Sequence, residues 1–155
     1  MRSALYRNLD GVDVTIIEED DAIVRLSANA SYVDPSAEKK ETPLLLGAAR
    51  QIEEYLRGAR TEFDLPLNLS GSPFYRAVWN VLLAIPYGET RSYREIAKAA
   101  GSPRGFRAVG QANHNNPVWI VVPCHRVIQS DGSLGGYGGG VELKRRLLAL
   151  EAGKK

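Results

Sequence analysis

The chain has 155 residues, 44% of them hydrophobic and 25% charged, the proportions of an ordinary globular protein with enough length for one good core or two small ones. Its single cysteine excludes an internal disulfide and a cysteine-rich zinc site, and suits a reducing compartment. The net charge of +2 hides a division: residues 1–68 carry 8 Lys and Arg against 13 Asp and Glu, and residues 69–155 carry 12 against 5.

A basic second half beside an acidic first half suggests that only the second meets a polyanion, although a solvated surface without a partner gives the same counts. The first residues lead into polar sequence with no apolar run long enough for a signal peptide or a membrane span, so a cytoplasmic location is expected.

In chain order, Val12, Val14 and Ile16 alternate with polar residues, the period-2 pattern of a half-buried strand. Glu18-Glu19-Asp20-Asp21 reads as a turn and residues 22–26 as the returning strand, with residues 29–42 as a loop. Thr42 as N-cap and Pro43 at the first helical position open a helix whose apolar stripe is Leu45, Ala48, Ala49, Ile52 and Leu56, with Gly58 as its stop. Nothing in residues 1–68 suggests chemistry, and they read as an α/β domain of structural purpose. Pro66 and Gly71 punctuate the link to the second domain, residues 69–155.

Ser72-Pro73 repeats the cap-plus-proline start, and Phe74, Val78, Val81, Leu82 and Ile85 mark one helical face, ended by Pro86-Tyr87-Gly88. Ser92 with Glu95 forms a capping box for a short helix. Ser102-Pro103 then caps a second one that runs to about Asn113. Two short helices joined by a glycine-containing turn form a helix-turn-helix pattern. The second helix sets Arg104 and Arg107 among small residues, Gly105, Ala108, Gly110 and Ala112. These small residues serve either close approach to a nucleic-acid groove or tight helix packing.

Residues 118–122, Val-Trp-Ile-Val-Val, predict a buried strand that Pro123 ends. Cys124 follows, beside His125 and Arg126, and a thiol near cationic groups has its nucleophilic thiolate favoured. The glycine-dense segment 132–140 is either a flexible linker or a wall of exposed backbone N–H groups around a flat ligand. Residues 141–152 form the last helix, with Leu143, Leu147 and Leu150 on one face and Lys144, Arg145 and Arg146 exposed. Glu151 sits near its C-terminal end, where the helix dipole disfavours a carboxylate unless solvent or a partner holds it.

Pro123-Cys124-His125-Arg126-Val127 resembles the active-site signature of the O6-alkylguanine-DNA alkyltransferases. Further segments match in the family's order: Ser72-Pro73-Phe74, Ile85-Pro86-Tyr87-Gly88, Ser92-Tyr93, Arg107-Ala108-Val109-Gly110, Asn116-Pro117, Gly136-Tyr137-Gly138-Gly139-Gly140 and residues 147–151. The resemblance covers all of residues 69–155 and the first half more loosely. It implies a ribonuclease H-like α/β domain followed by a mostly α domain with a helix-turn-helix of winged-helix type, used on the minor groove by a monomer. The implied reaction is single-turnover removal of the alkyl group from O6-alkylguanine, extending to O4-alkylthymine, after base flipping, with no cofactor. With one cysteine and two histidines, the structural zinc of some relatives is not expected.

By the same resemblance Cys124 is the alkyl acceptor, His125 its base through a water, Glu151 the orienting carboxylate, Asn116 the brace of the active-site turn and Tyr93 a proton donor toward the leaving guanine. Arg107 takes the place of the extruded base, with Ser92, Arg104, Gly105, Phe106, Ala108, Gly110 and Arg126 also on DNA. Tyr137, Gly138, Val127, Asn113 and Trp119 form the substrate pocket, Gly138 through its N–H and Val127 through its carbonyl.

Three positions depart from the family's habit. Phe106 replaces a small residue and either wedges into the groove or folds back; Trp119 narrows the pocket mouth; Gly135 replaces a common threonine and loosens its loop. Two other readings remain: a lesion-binding protein without transfer, whose members lack the acceptor cysteine, and a thiol hydrolase or redox sensor, which leaves the helix pair and the basic half unexplained.

Overall fold

The computed structural model describes residues 1–28, 32–137 and 140–153. The chain forms two compact units, residues 1–70 with 117–119, and residues 71–116 with 120–155.

The first unit is a four-stranded sheet of order β3-β2-β1-β4 with one helix packed on it. Its strands are β1 (Arg2–Leu9), β2 (Val12–Glu19), β3 (Ala22–Ser27) and β4 (Ala37–Lys39). Two-residue turns join the hairpins: Asp10 and Gly11 have φ of 49° and 87°, and Asp20 and Asp21 have 52° and 62°. Left-handed pairs of this kind match the twist of antiparallel strands. The expected turn at residues 18–21 therefore shrinks to Asp20-Asp21, because Glu18 and Glu19 remain in β2.

Two elements of this unit were not expected. Strand β1 was missed, and part of the expected loop is β4, which pairs parallel to β1. The helix α1 (Pro43–Leu56) begins as read: the Thr42 side chain accepts from Leu45 N at 3.1 Å, and Leu45, Ala48, Ala49, Ile52 and Leu56 are buried. Gly58, at φ 80°, stops it. The free edge of β3 is covered by single bridges to Leu67 and Val118, which blunts an otherwise exposed row of backbone groups.

The second unit contains α2 (Pro73–Leu83), β5 (Arg91–Ser92), α3 (Tyr93–Ala99), α4 (Phe106–His114), β6 (Val127–Ile128) and α5 (Val141–Glu151). Ser72 caps α2 as read. The buried Trp79 of α2 donates its indole N–H to the Ala112 carbonyl of α4 at 2.9 Å, which locks those helices in register. The Ser92–Glu95 capping box is complete, Ser92 N donating to Glu95 Oε1 and Glu95 N to Ser92 Oγ.

Two expectations for this unit fail. Helix α4 begins at Phe106 with Gly105 as its N-cap. Ser102 is spent on the preceding turn, where its carbonyl accepts from Gly105 N at 2.8 Å. Residues 118–122 are not a strand: they make isolated bridges and turn at Ile120, which adopts φ 74°. The apolar pattern there reflects burial, with Val118, Ile120 and Val122 fully enclosed. No described helix is long and apolar enough to cross a membrane.

Candidate active site

The second unit holds a cavity of about 670 Å³ lined by Tyr93, Phe106, Arg107, Gly110, Asn113, His114, Cys124, Gln129, Gly136 and Tyr137. Pro123 precedes a single 3-10 turn, Cys124–Arg126, that gives Cys124 to the cavity lining and both His125 and Arg126 to Glu151. The Cys124 sulfur accepts from Asn116 Nδ2 at 3.2 Å, and the same amide donates to the Val122 carbonyl at 2.8 Å. One asparagine thus ties the turn's backbone to its thiol.

The second direction carries a charged cluster. His125 Nε2 lies 2.7 Å from Glu151 Oε2, with the histidine side chain fully enclosed. Arg126 Nε donates to Glu151 Oε1 at 2.7 Å and its Nη2 to Oε2 at 3.0 Å. Its Nη1 donates to the Ile85 carbonyl at 2.7 Å, and Gly88 N donates to Glu151 Oε1 at 3.2 Å. A buried carboxylate needs such compensation, because a lone charge away from water is strongly unfavourable. The position of Glu151 against the helix dipole is thereby answered by partners.

Burial sets the proton affinities. It pushes the Cys124 thiol up to about 11, opposed in part by the Asn116 hydrogen bond and the charge of Lys144. Burial also holds the His125 imidazole below its ordinary value, against the pull of Glu151. Tyr93 is raised by burial first and by Cys124 second. The neighbouring cations in sequence therefore do not favour the thiolate as expected, because Arg126 faces Glu151.

Several sequence assignments change. Arg126 is 7% exposed and engaged with Glu151, so it is not a DNA contact. Lys144 is not exposed: it lies on the buried face of α5 with Leu147 and Glu151. Trp119 belongs to the first unit, where its backbone N–H donates to the Leu26 carbonyl at 2.9 Å, and it is absent from the cavity lining. Val127 is buried outside that lining, and its carbonyl accepts from Lys144 Nζ at 2.7 Å. Gly138 lies outside the described residues.

Arg107, Gly110, Phe106, Asn113, Tyr93 and Tyr137 do come together around the cavity with Cys124. Ala108 is half-buried and Arg104 exposed, while Gly105 and Ser92 cap helices α4 and α3. Phe106 is 36% exposed, with the Arg94 guanidinium 5.1 Å from its ring centre. The sequence reading missed His114, Gln129 and Lys144. His114 lies one helical turn beyond Gly110 on α4, which was the available signal.

Gly135 does not merely loosen its loop. Its φ is +71°, and a Cβ there would lie 2.8 Å from the Tyr93 hydroxyl oxygen. Gly135→Ala is therefore expected to displace Tyr93 and to cost about 1–3 kcal/mol. Denaturant unfolding with Tyr93 hydroxyl chemical shifts would check both.

Residues 4–69 match the family described as 6-O-methylguanine DNA methyltransferase, ribonuclease-like domain, and residues 73–153 the same family's DNA binding domain. The chain belongs to the 6-O-methylguanine DNA methyltransferase family. A methylated-DNA–protein-cysteine methyltransferase of Mycolicibacterium paratuberculosis is 48% identical over 150 residues, which cover 94% of this chain and 91% of the relative. The crystal structure of Mycobacterium tuberculosis O6-methylguanine methyltransferase is similar with a TM-score of 0.90 and 41% identity, over 100% of this chain and 95% of that one. The M. tuberculosis protein in complex with DNA matches with a TM-score of 0.86 and 41% identity, over 98% and 92% of the two chains. As a member of this family, the chain has the two-part architecture of a ribonuclease-like and a DNA-binding domain, and DNA is its partner.

Proposed function

We propose that this methyltransferase moves the alkyl group of O6-alkylguanine in duplex DNA onto Cys124, once per molecule, acting as a monomer from the minor groove. The observation that carries the reading is the cavity itself. Its volume of about 670 Å³ suits one flat ligand, and Cys124 and the arginine-bearing helix α4 both line it.

In the transfer, the Cys124 Sγ–carbon bond forms as the carbon–O6 bond breaks. The thiol proton leaves through His125 and a water, and the departing guanine takes up a proton, so the net change is thiol to thioether and alkylguanine to guanine. His125 is suited to the base role because its Nε2 faces the Glu151 carboxylate at 2.7 Å, which leaves the basic lone pair on Nδ1. Tyr93 is suited to proton donation because it carries its hydroxyl into the same cavity lining as Cys124. Asn116 holds Cys124 in place through the two hydrogen bonds from its amide.

Helices α3 and α4 act as the helix-turn-helix. Arg107 replaces the extruded base in the stack, Phe106 and Gly110 face the groove, and Arg104 meets phosphate. Flipping costs a few kcal/mol and least for a damaged pair, so it favours the lesion. Tyr137 and Asn113 wall the flipped base.

Intact-protein mass spectrometry after incubation with a duplex containing O6-methylguanine tests the reading. One added methyl per chain, absent in Cys124→Ser, is expected. Tight lesion binding without a mass change would assign the chain to the binding-only class instead.

A further inference from the structure

We propose that the Phe106 ring, held by the Arg94 guanidinium, is a stacking wedge for DNA that presses on the base pair flanking the extruded nucleotide and so favours transfer from a duplex. The proposal rests on the base-flipping reading and deepens it.

Among the described residues, Phe106 is the one aromatic side chain left strongly exposed. It is the first residue of α4, and Val109, three residues on, is fully buried, so burial on that side of the helix stops one turn short of the ring. Residues 106, 107, 110, 113 and 114 all line the cavity, the spacing of one helical stripe. Gly110 leaves a gap in that stripe, since a Cβ there would meet nothing within 4 Å. The ring therefore stands at the rim of the cavity, beside Arg107, with open space next to it. An apolar ring left in water costs free energy in proportion to its bare area, and a partner with a flat face recovers it.

The charges around the ring say which partner. Arg94 of α3 sits 5.1 Å from the ring centre, and Arg104 and Arg107 flank it in the chain. All three arginines are exposed, and among the described residues none of them pairs with a carboxylate. Glu95, beside Arg94, is committed to the backbone N–H of Ser92. Unpaired arginines around an open aromatic ring match a polyanion that also carries flat faces, which is DNA. Phosphate alone would leave the ring bare. The step beside an extruded nucleotide is where a duplex offers an unstacked base face, and apolar side chains inserted at such steps offset the cost of unstacking. Arg94 contributes by holding the ring through the cation–π contact before DNA arrives, which lowers the ordering cost on binding.

Single-turnover transfer followed by mass, with O6-methylguanine placed in a duplex and in a single strand, reads the wedge. A single strand has no paired stack to open, so loss of the wedge falls mainly on the duplex. Phe106→Ala is expected to slow duplex transfer by about tenfold or more, and single-strand transfer by a clearly smaller factor. Phe106→Tyr keeps the ring and should retain the duplex rate. Phe106→Lys puts a cation where the ring stood, and should be as slow on the duplex as Phe106→Ala. Arg94→Met is expected to slow duplex transfer by about two- to fivefold. It should add nothing once Phe106→Ala is present, because it acts through the ring.

Equal slowing of both substrates by Phe106→Ala would overturn the proposal, as would a wild-type duplex rate in Phe106→Lys. An Arg94→Met deficit that persists in full without the ring would overturn the part given to Arg94. Absence of transfer to wild-type protein from both substrates would count against the transfer reading alone, and the ratio of duplex to single-strand binding by the same variants then decides the wedge.

Discussion

Arg126→Met is expected to lower the unfolding free energy by about 3–5 kcal/mol, the usual cost of removing one member of a buried ion pair. Arg126 meets Glu151 through two N–H groups at 2.7 and 3.0 Å, with 8% and 2% of the two side chains exposed. Methionine preserves much of the volume, so the loss falls on electrostatics: Glu151 keeps its charge without its main counter-ion, and the Ile85 carbonyl loses its donor. Arg126 also lowers the proton affinity of His125, so in the variant the imidazole is expected to protonate more readily and restore part of the balance. Urea unfolding measures the effect. Combining Arg126→Met with Glu151→Gln should recover a large part of it, because the orphaned charge is then gone. A single-variant loss below about 1 kcal/mol would place the pair in the class of weak surface bridges.

That pair shows where sequence reading succeeds and where it stops. Glu151 stood out because a carboxylate at a helix C-terminus asks for a partner, and the structure supplies His125, Arg126 and Gly88. Arg126 was misassigned by the same local view: an arginine beside a cysteine looks like a surface cation, and only the three-dimensional turn shows it pointing inward. Lys144 repeats the lesson. In a run of Lys144-Arg145-Arg146 the charges look alike, but helical geometry sends Lys144 to the face of Leu147, three residues on.

Caps and turns were legible because they depend on neighbours in sequence. Thr42, Ser72 and the Ser92–Glu95 box all act as their residue types dictate. The start of α4 was misplaced for the opposite reason, since Ser102 had a turn to close before it had a helix to cap. Strand β1 was available from the Asp10-Gly11 turn, which precedes Val12, and was passed over because Ser3, Arg7 and Asn8 obscure its alternation.

Residues 118–122 mark a deeper limit. A β-branched apolar run signals burial, and burial does not require a ladder. Here the backbone passes from one unit to the other, and Ile120 adopts a left-handed conformation that β-branched residues rarely take. Propensity argues against that turn, and enclosure of Val118, Ile120 and Val122 overrides it. The cavity was recoverable from the ordered motifs, and His114 from its helical spacing to Gly110, yet Gln129 in the lining was not, because it carries no sequence signal of its own.

His125→Gln is expected to slow alkyl transfer from a lesion duplex by roughly a hundred- to ten-thousand-fold, the contribution of a positioned general base, with DNA binding retained because the side chain is enclosed away from the surface. The pH dependence follows from burial. The folded imidazole lies below its ordinary value of 6.5, so it is neutral and competent as a base at neutral pH. The wild-type rate should fall only as pH drops beneath that ordinary value. The same shift links to stability. Between the lowered folded value and 6.5 the unfolded chain holds the extra proton, so this contribution is complete above 6.5 and is lost as pH falls toward the folded value. Single-turnover transfer followed by mass, with unfolding measured from neutral to acid pH, tests both arms. A variant that transfers within a few-fold of wild type would remove His125 from the proton path and leave Lys144 and Asn116 as the groups acting on the thiol.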